Sequence, residues 1–333
     1  MRAVRLVAPD ALEVANVPAP SPSRSYEVSV ELVGICGSDT KMLAGKVPVE
    51  HPRIMGHEAV GQVASAPPGG HLTPGTRVLV DPGVACGRCD LCGSGRLHLC
   101  RNGGLLGRDV DGVFAERILV PEDSLVPVPD SISRKASGLL QVLGTCVHAA
   151  KLVDSVFGRV AAVIGLGVSG QLLTQLLALG GSTVVGITRS EWKRQLALDS
   201  GAAAVAAPSE AGSVLDQLTK GRGPDLVVEA VGTEETLAQA IEMVGIGGVI
   251  LAFGIITEGR QGLPYYQLYH KELTIHHPRA ALLGDYRDGV ALAASGALRL
   301  EPLVTHELAL EDAVKAFELV HDPSALKVLM TVA

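Results

Sequence analysis

The sequence predicts an α/β protein of two domains: an antiparallel, barrel-like β domain and a doubly wound parallel-sheet domain. Three observations predict it. At 333 residues the chain exceeds one ordinary core. Its first part reads as short β-type runs punctuated by Pro and Gly turns. From Arg159 onward, continuous apolar runs alternate with helical ones, the pattern of parallel strands joined by crossover helices.

Residues 1–35 hold a β-type run at Val28–Val33 and turns at Pro18, Pro20 and Pro22, with no sustained helical period. Val60–Ala64 and Arg77–Val80 read as further strands, parted by Pro67-Pro68-Gly69-Gly70 and Pro74-Gly75. Arg117–Val120 is another strand, and a helical region is expected over Ser133–Lys151. Val160–Ile164 is a continuous apolar strand, followed by a helical pattern to Leu179. Strand-like runs then recur at Thr183–Thr188, Ala203–Ala206, Leu226–Ala230, Val249–Phe253 and Leu273–Ile275. Leu310–Leu319 has helical periodicity and Lys327–Val332 reads as a closing strand, with no chemistry expected in either.

Composition narrows the function. The chain is 47% hydrophobic and 19% charged, as a core-rich globular protein should be, and its net charge of −7 comes without a basic run. Neither nucleic acid nor an anionic membrane surface is an expected partner. The uncharged stretch Val160–Thr188 is long enough for a membrane span. Six glycines and two glutamines interrupt it, which suits a strand, turn and packed helix better. The N-terminus reaches Asp10 and Glu13 before any long apolar run, so a cytoplasmic protein is expected. Six cysteines in such a protein point to metal or catalysis rather than to disulfides.

Two stretches carry metal chemistry. Cys36-Gly37-Ser38-Asp39 followed by Gly56-His57-Glu58 brings a thiol, a hydroxyl, an imidazole and two carboxylates into one short reach. That inventory suits a catalytic zinc with an open position, although a buried cysteine amid unrelated polar residues would read the same way. Cys86, Cys89, Cys92 and Cys100 can close a tetrahedral shell around a structural zinc. An iron–sulfur cluster or a redox pair would use the same residue type, but no Pro follows Cys100 and the context is a β-loop.

A third motif binds a dinucleotide. Gly165-Leu166-Gly167-Val168-Ser169-Gly170 lies between a strand and a helix, where backbone N–H groups and a helix N-terminus can cradle a pyrophosphate. Gly165, Gly167, Val168 and Gly170 are the expected contacts. An NAD site usually carries Asp or Glu at the end of the second strand. Here stand Thr188-Arg189-Ser190 and then Lys193-Arg194. Arg189 and Lys193 can pair with a 2′-phosphate, and Thr188 and Ser190 can donate to it, so NADP is expected over NAD. The alternative is a solvated basic helix start in a protein indifferent to that phosphate.

Together these pieces, with Pro302-Leu303-Val304-Thr305-His306, resemble the zinc-containing medium-chain dehydrogenase/reductase family, the alcohol, sorbitol and threonine dehydrogenase relatives. The resemblance runs through essentially the whole chain. It implies a GroES-like β-barrel catalytic domain over 1–144 and 279–333, and a Rossmann domain over 145–278. It also implies an inter-domain cleft for substrate and two zinc ions per chain, one catalytic and one structural. A homodimer or homotetramer is the implied assembly.

By that resemblance Cys36 and His57 take zinc-ligand positions, and Ser38 takes the hydroxyl that receives the substrate proton. Asp39 supports His57, and Glu58 is either a supporting carboxylate or an exchangeable ligand. The third ligand is Cys or Glu in relatives; here Gln141 stands there, so either its amide oxygen or Glu58 with water completes the shell. Lys41 replaces the histidine that passes the proton onward in many relatives, and could instead contact an oxygen-rich or anionic substrate. The expected reaction is hydride transfer between NADP(H) and a secondary alcohol or ketone, a polyol, sugar or cyclitol. The alternatives are a simple alcohol or aldehyde reductase and a non-catalytic protein that binds NADPH and zinc.

Overall fold

The computed structural model describes residues 1–21, 25–257 and 262–332; the turn expected at Pro22 lies outside them. The chain divides into two compact units. One comprises Met1–Gly144, Ala280–Ser295 and Leu300–Ala333, and the other Thr145–Arg279 and Gly296–Arg299.

The first unit opens with β1 (Arg2–Ala8), β2 (Ala11–Asn16) and β3 (Tyr26–Gly34). Helix α1 (Gly37–Leu43), β4 (Arg53–Ile54), β5 (Ala59–Ser65) and β6 (Arg77–Val80) follow. The cysteine-rich excursion is bounded by β7 (Gly83–Val84) and β8 (Gly104–Leu105), with the short α2 (Asp90–Gly93) between them. Then come β9 (Arg117–Val120), β10 (Leu125–Pro127), α3 (Arg134–Ser137) and α4 (Leu140–Lys151), which belongs to the second unit from Thr145 onward.

β3 organises this unit. Alternate residues are buried along most of its length, the period of a strand with one face on a core. It pairs antiparallel with β5 and β9, and its end carries the chain straight into α1. Val33 lies opposite Ala59, so the residues just after β3 meet those just before β5. That register sets Cys36 near His57 and Glu58.

After Cys36 the chain is helical, and the Asp39 carboxylate accepts the Cys36 backbone N–H at 2.8 Å and caps the first turn. The helical region expected over Ser133–Lys151 is present as two helices, α3 and α4, parted at Gly138 and Leu139. A Cβ at Gly138 would come within 2.6 Å of Leu329, so the chain passes close to the sheet there.

The second unit contains β11 (Val160–Ile164), α5 (Val168–Leu179), β12 (Thr183–Ile187), α6 (Glu191–Asp199) and β13 (Ala204–Ala206). It continues with α7 (Ala211–Thr219), β14 (Leu226–Glu229), α8 (Glu234–Met243), β15 (Val249–Ala252), α9 (Tyr265–His270) and β16 (Thr274–His276). All six strands are parallel, in the order β13-β12-β11-β14-β15-β16. Val160–Thr188 is therefore a strand, a helix and a strand. No helix among the described residues is long and apolar enough to cross a membrane.

The chain returns to the first unit with α10 (Leu283–Ala294), β17 (Val304–Ala309), α11 (Ala313–Leu319) and β18 (Lys327–Thr331). β18 inserts between β17 and β3, setting Leu329 opposite Gly34. The C-terminal strand thus runs beside the segment that leads into Cys36.

Candidate active site

Side chains that could hold a metal ion gather at two places in the first unit. At the first, donor atoms of Cys36, His57 and Glu58 lie within 4.8 Å of one another. Asp39 sits beneath them, fully buried, and uses one oxygen to cap α1 and the other to bond His57 Nδ1 at 3.1 Å. One carboxylate thus fixes both the helix start and the imidazole ring, leaving Nε2 as the nitrogen that could bind a metal. Burial alone would depress the His57 imidazole. Asp39 and the Cys36 thiol outweigh it and hold the ring well above its ordinary value, so metal binding must displace a proton. Ser38 Oγ lies 3.4 Å from His57 Nε2. Lys41 is one helical turn further along α1, on the same side as Ser38.

Glu58 is 2% exposed and points one oxygen, Oε2, at the ammonium of Lys327, which is 3% exposed and also donates to the Ile35 carbonyl at 3.1 Å. Its other oxygen, Oε1, is buried with no hydrogen-bond partner. An orphaned carboxylate oxygen beside a thiol and an imidazole fits a divalent cation, as does the mix of soft and hard donors. Gly34 makes the pair possible. A Cβ there would run into Glu58 Oε2 and come within 2.7 Å of Lys327 Cε. Lys327 was invisible from sequence: its strand reads as silent, yet it supplies the counter-charge of the site. The available signal was a lysine opening an apolar strand.

Gln141, on α4, lines one small cavity together with Glu58. Its amide Nε2 donates to the Tyr286 hydroxyl at 3.2 Å. Burial pushes that phenol up, with Asp81 adding to it, so it stays protonated and able to accept. The amide oxygen is then the other arm of the fork. Gly144, three residues along α4, lets the Tyr286 ring approach: a Cβ would overlap it. Tyr286 is a second residue that sequence reasoning missed.

The other candidate metal site is the cysteine lobe. Thiols of Cys86, Cys89, Cys92 and Cys100 also lie within 4.8 Å of one another. A tetrahedral zinc with bonds of about 2.3 Å needs sulfurs roughly 3.8 Å apart. Cys89 Sγ is 3.5 Å from Cys92 Sγ and 3.8 Å from Cys100 Sγ. The backbone N–H groups of Cys92 and Arg101 bring the Cys89 thiol down to about 6, whereas desolvation beside the other thiols pushes Cys92 up to about 12. The Cys89 thiolate is ready at neutral pH, whereas the Cys92 thiol must give up its proton to bind metal.

In the second unit, Gly165 has φ +92° and Gly167 caps α5, with nothing within 4 Å of where its side chain would be. A Cβ at Gly170 would strike the Gly165 carbonyl. The turn is therefore tight beneath and open above, as a pyrophosphate cradle requires, and Val168 opens the helix behind it. At the end of β12, Arg194 Nη1 donates to the carbonyls of Thr188 (2.8 Å) and Arg189 (3.1 Å), pinning the turn. Arg189 itself is exposed, and Ser190 opens α6. Lys193 behaves differently. Its ammonium lies 5.2 Å from the Trp192 ring centre, and burial lowers its pKa.

Comparison with known proteins agrees with this architecture. Residues 23–130 match the family model described as the alcohol dehydrogenase GroES-like domain, and residues 169–295 match the zinc-binding dehydrogenase model. The chain belongs to the zinc-containing medium-chain alcohol/sorbitol dehydrogenase family, whose members pair a GroES-like domain with a Rossmann domain and use a pyridine nucleotide. "Probable D-xylulose reductase A" of Aspergillus fumigatus is 31% identical over 320 residues, 91% of this chain and 88% of that protein. Among solved structures, the alcohol dehydrogenase TADH from Thermus sp. ATN1 superposes with a TM-score of 0.93 at 32% identity, covering both chains fully. A zinc-binding dehydrogenase of Sinorhizobium meliloti 1021, bound to NADP, gives a TM-score of 0.91 at 32% identity over 99% of each chain.

Proposed function

We propose that this protein is a zinc-dependent oxidoreductase that interconverts a secondary alcohol and its ketone with NADP(H), acting on a polyol, sugar or cyclitol. The observation that carries the reading is the convergence of Cys36, His57 and the orphaned oxygen of Glu58 beside the Ser38 hydroxyl. Cys36 and His57 hold the catalytic zinc, and the Gln141 amide oxygen or Glu58 completes the shell. Cys86, Cys89, Cys92 and Cys100 hold the structural zinc. When bound, zinc supplies Lewis-acid polarisation of the alcohol oxygen and the nucleotide supplies the hydride acceptor. Ser38 accepts the proton of the substrate hydroxyl as its own passes on, and Lys41, on the same side of α1, receives it or binds a further substrate oxygen.

NADP preference rests on the end of β12. Thr188, Arg189, Ser190 and Lys193 offer hydroxyls and cations and no carboxylate, and Arg189 is exposed to meet a 2′-phosphate. The NADP bound to the Sinorhizobium relative agrees with this. Oxygen-rich substrates follow from the polar set Ser38, Lys41, Glu58 and Gln141, and from the sugar ketone in the name of the Aspergillus relative. Likeness to the Thermus alcohol dehydrogenase favours a second reading, a simple alcohol reductase. A homodimer or homotetramer is the proposed assembly, to be read by light scattering.

Initial rates of NADP⁺ and NAD⁺ reduction across polyols, sugars, cyclitols and simple alcohols test the proposal. Polyols or sugars with NADP⁺ should give the highest kcat/KM. A clear preference for simple primary alcohols would establish the second reading instead, and zinc confined to the cysteine lobe would sink both.

A further inference from the structure

The winding of the parallel sheet reverses between β11 and β14, and in open α/β sheets a dinucleotide lies over the carboxyl ends of the strands at that point. The glycine turn after β11 takes the pyrophosphate, and on the proposed reading Arg189, after β12, takes the adenosine ribose. The nicotinamide ribose therefore falls on the opposite side, over the turns that follow β14 and β15.

Those turns are built around one carboxylate that has no part in the readings above. Glu229, the last residue of β14, is completely buried. Its Oε1 accepts three hydrogen bonds: from the N–H groups of Val231 (2.8 Å) and Gly232 (2.9 Å), and from the Thr236 hydroxyl (2.8 Å). Its backbone carbonyl accepts the N–H groups of Phe253 and Gly254, which ties in the turn after β15. Its Oε2 has no partner, and a Cβ at Gly254 would stand 2.7 Å from it and overlap Gly232. Gly165 of the pyrophosphate turn packs on the same loop, where a Cβ would lie 2.6 Å from Val231. Three turns thus meet at Glu229, too closely for side chains at Gly165 or Gly254.

The surface this creates is unfinished. Val231, although apolar, is 49% exposed. Both N–H groups of the turn are spent on Glu229, and among the described residues none donates to the carbonyls of Val231 or Gly232. An apolar side chain beside two waiting acceptors suits a ribose or carboxamide that brings O–H or N–H donors. We propose that Glu229 is a positioning residue for the nicotinamide-ribose half of the cofactor. It draws the N–H groups of the β14–α8 turn inward and so presents the carbonyls of that turn to the ligand. This rests on the pyridine-nucleotide reading of the second unit, and it holds for NADP⁺ and NAD⁺ alike.

Glu229→Gln tests it. The amide matches the carboxylate in shape, but it either sets N–H₂ against the donors of Val231 and Gly232 or gives up the charge that holds them. Titration calorimetry with the zinc-loaded protein should show NADP⁺ and NAD⁺ weakened by about tenfold, the loss of one charge-assisted contact. Adenosine 2′,5′-bisphosphate, which lacks the nicotinamide half, should bind as it does to wild type. Equal weakening of the half-ligand and the whole cofactor would mean a general loss of structure, and no weakening of either would remove the role; both overturn the proposal. Should Glu229→Gln not fold, Thr236→Val removes one donor and keeps the carboxylate. A loss of about threefold confined to the whole cofactor then supports the role, and an unchanged cofactor overturns it. If the 2′-phosphate reading is the part that fails, adenosine 5′-monophosphate and NAD⁺ bind the wild type more tightly than their phosphorylated counterparts. The contrast between half and whole ligand still reads Glu229.

Discussion

Lys327→Met is the perturbation that most directly probes the candidate catalytic metal site. Methionine matches the length of the lysine stem and keeps the packing of β18, but removes the ammonium that answers Glu58 Oε2. Both partners are almost wholly buried, so the carboxylate left behind faces the cost of an unpaired interior charge, about 3–5 kcal/mol. At roughly 2–4 °C per kcal/mol for a domain of this size, metal-free Lys327→Met should melt on the order of 10 °C below wild type. Zinc should then recover part of the loss. Glu58 Oε1 already lacks a partner beside Cys36 and His57, and a carboxylate freed of its ammonium becomes a full anionic ligand. Chelator competition should show catalytic-site zinc held about tenfold or more tightly than in wild type. The double variant Lys327→Met/Glu58→Gln removes both charges and should regain most of the metal-free stability. A metal-free Lys327→Met protein that melts with wild type would refute the reasoning, as would weaker zinc binding.

Three other outcomes follow from the structure. Arg189→Asp should cost at least about tenfold in NADP⁺ affinity and leave NAD⁺ level or improved by calorimetry, because a carboxylate repels the 2′-phosphate; unchanged selectivity would refute the role of Arg189. Cys92→Ser should lower the bound metal by about one zinc per chain in atomic absorption, since a serine cannot close the four-sulfur shell; full retention would exclude Cys92 as a ligand. Burial raises Asp81 to about 6, although its Oδ1 accepts the Gly83 N–H at 2.8 Å. The folded protein then holds this proton more firmly than the unfolded chain, so the ionised carboxylate penalises folding above that pH and the penalty fades as pH falls through it. Asp81→Asn keeps the bond to Gly83 and should stabilise by about 1–2 kcal/mol at pH 8, allowing for partial exposure, and by less than half as much at pH 4, where the unfolded carboxylate is itself close to half protonated. A gain independent of pH would refute that origin.

Features of this fold that were legible in the sequence are short in range. The strand, glycine turn and helix at Val160–Leu179 declare themselves within twenty residues, because the hydrophobic period changes where the glycines stand. The four cysteines of the lobe sit between two paired strands, β7 and β8, so their spacing along the chain nearly fixes their spacing in space. Even Cys36 and His57, parted by a helix and a loop, are joined by the simplest long-range rule, the register of β3 on β5. Close packing between distant segments was not legible: nothing near Gly138 says that Leu329, far along the chain, fills the space beside it.

By itself, then, the sequence determined which ligands exist: the thiols, the imidazole, the glycine cradle and the absence of a carboxylate after β12. Tertiary structure alone decided what those ligands answer to. Lys327 meets Glu58 across 269 residues because Leu329 pairs with Gly34, and Tyr286 meets Gln141 across 145 because Gly144 leaves room for its ring. The physical reason is that a motif records local spacing, whereas a buried counter-charge is set by the register of strands from opposite ends of the chain. No period in either segment carries that register.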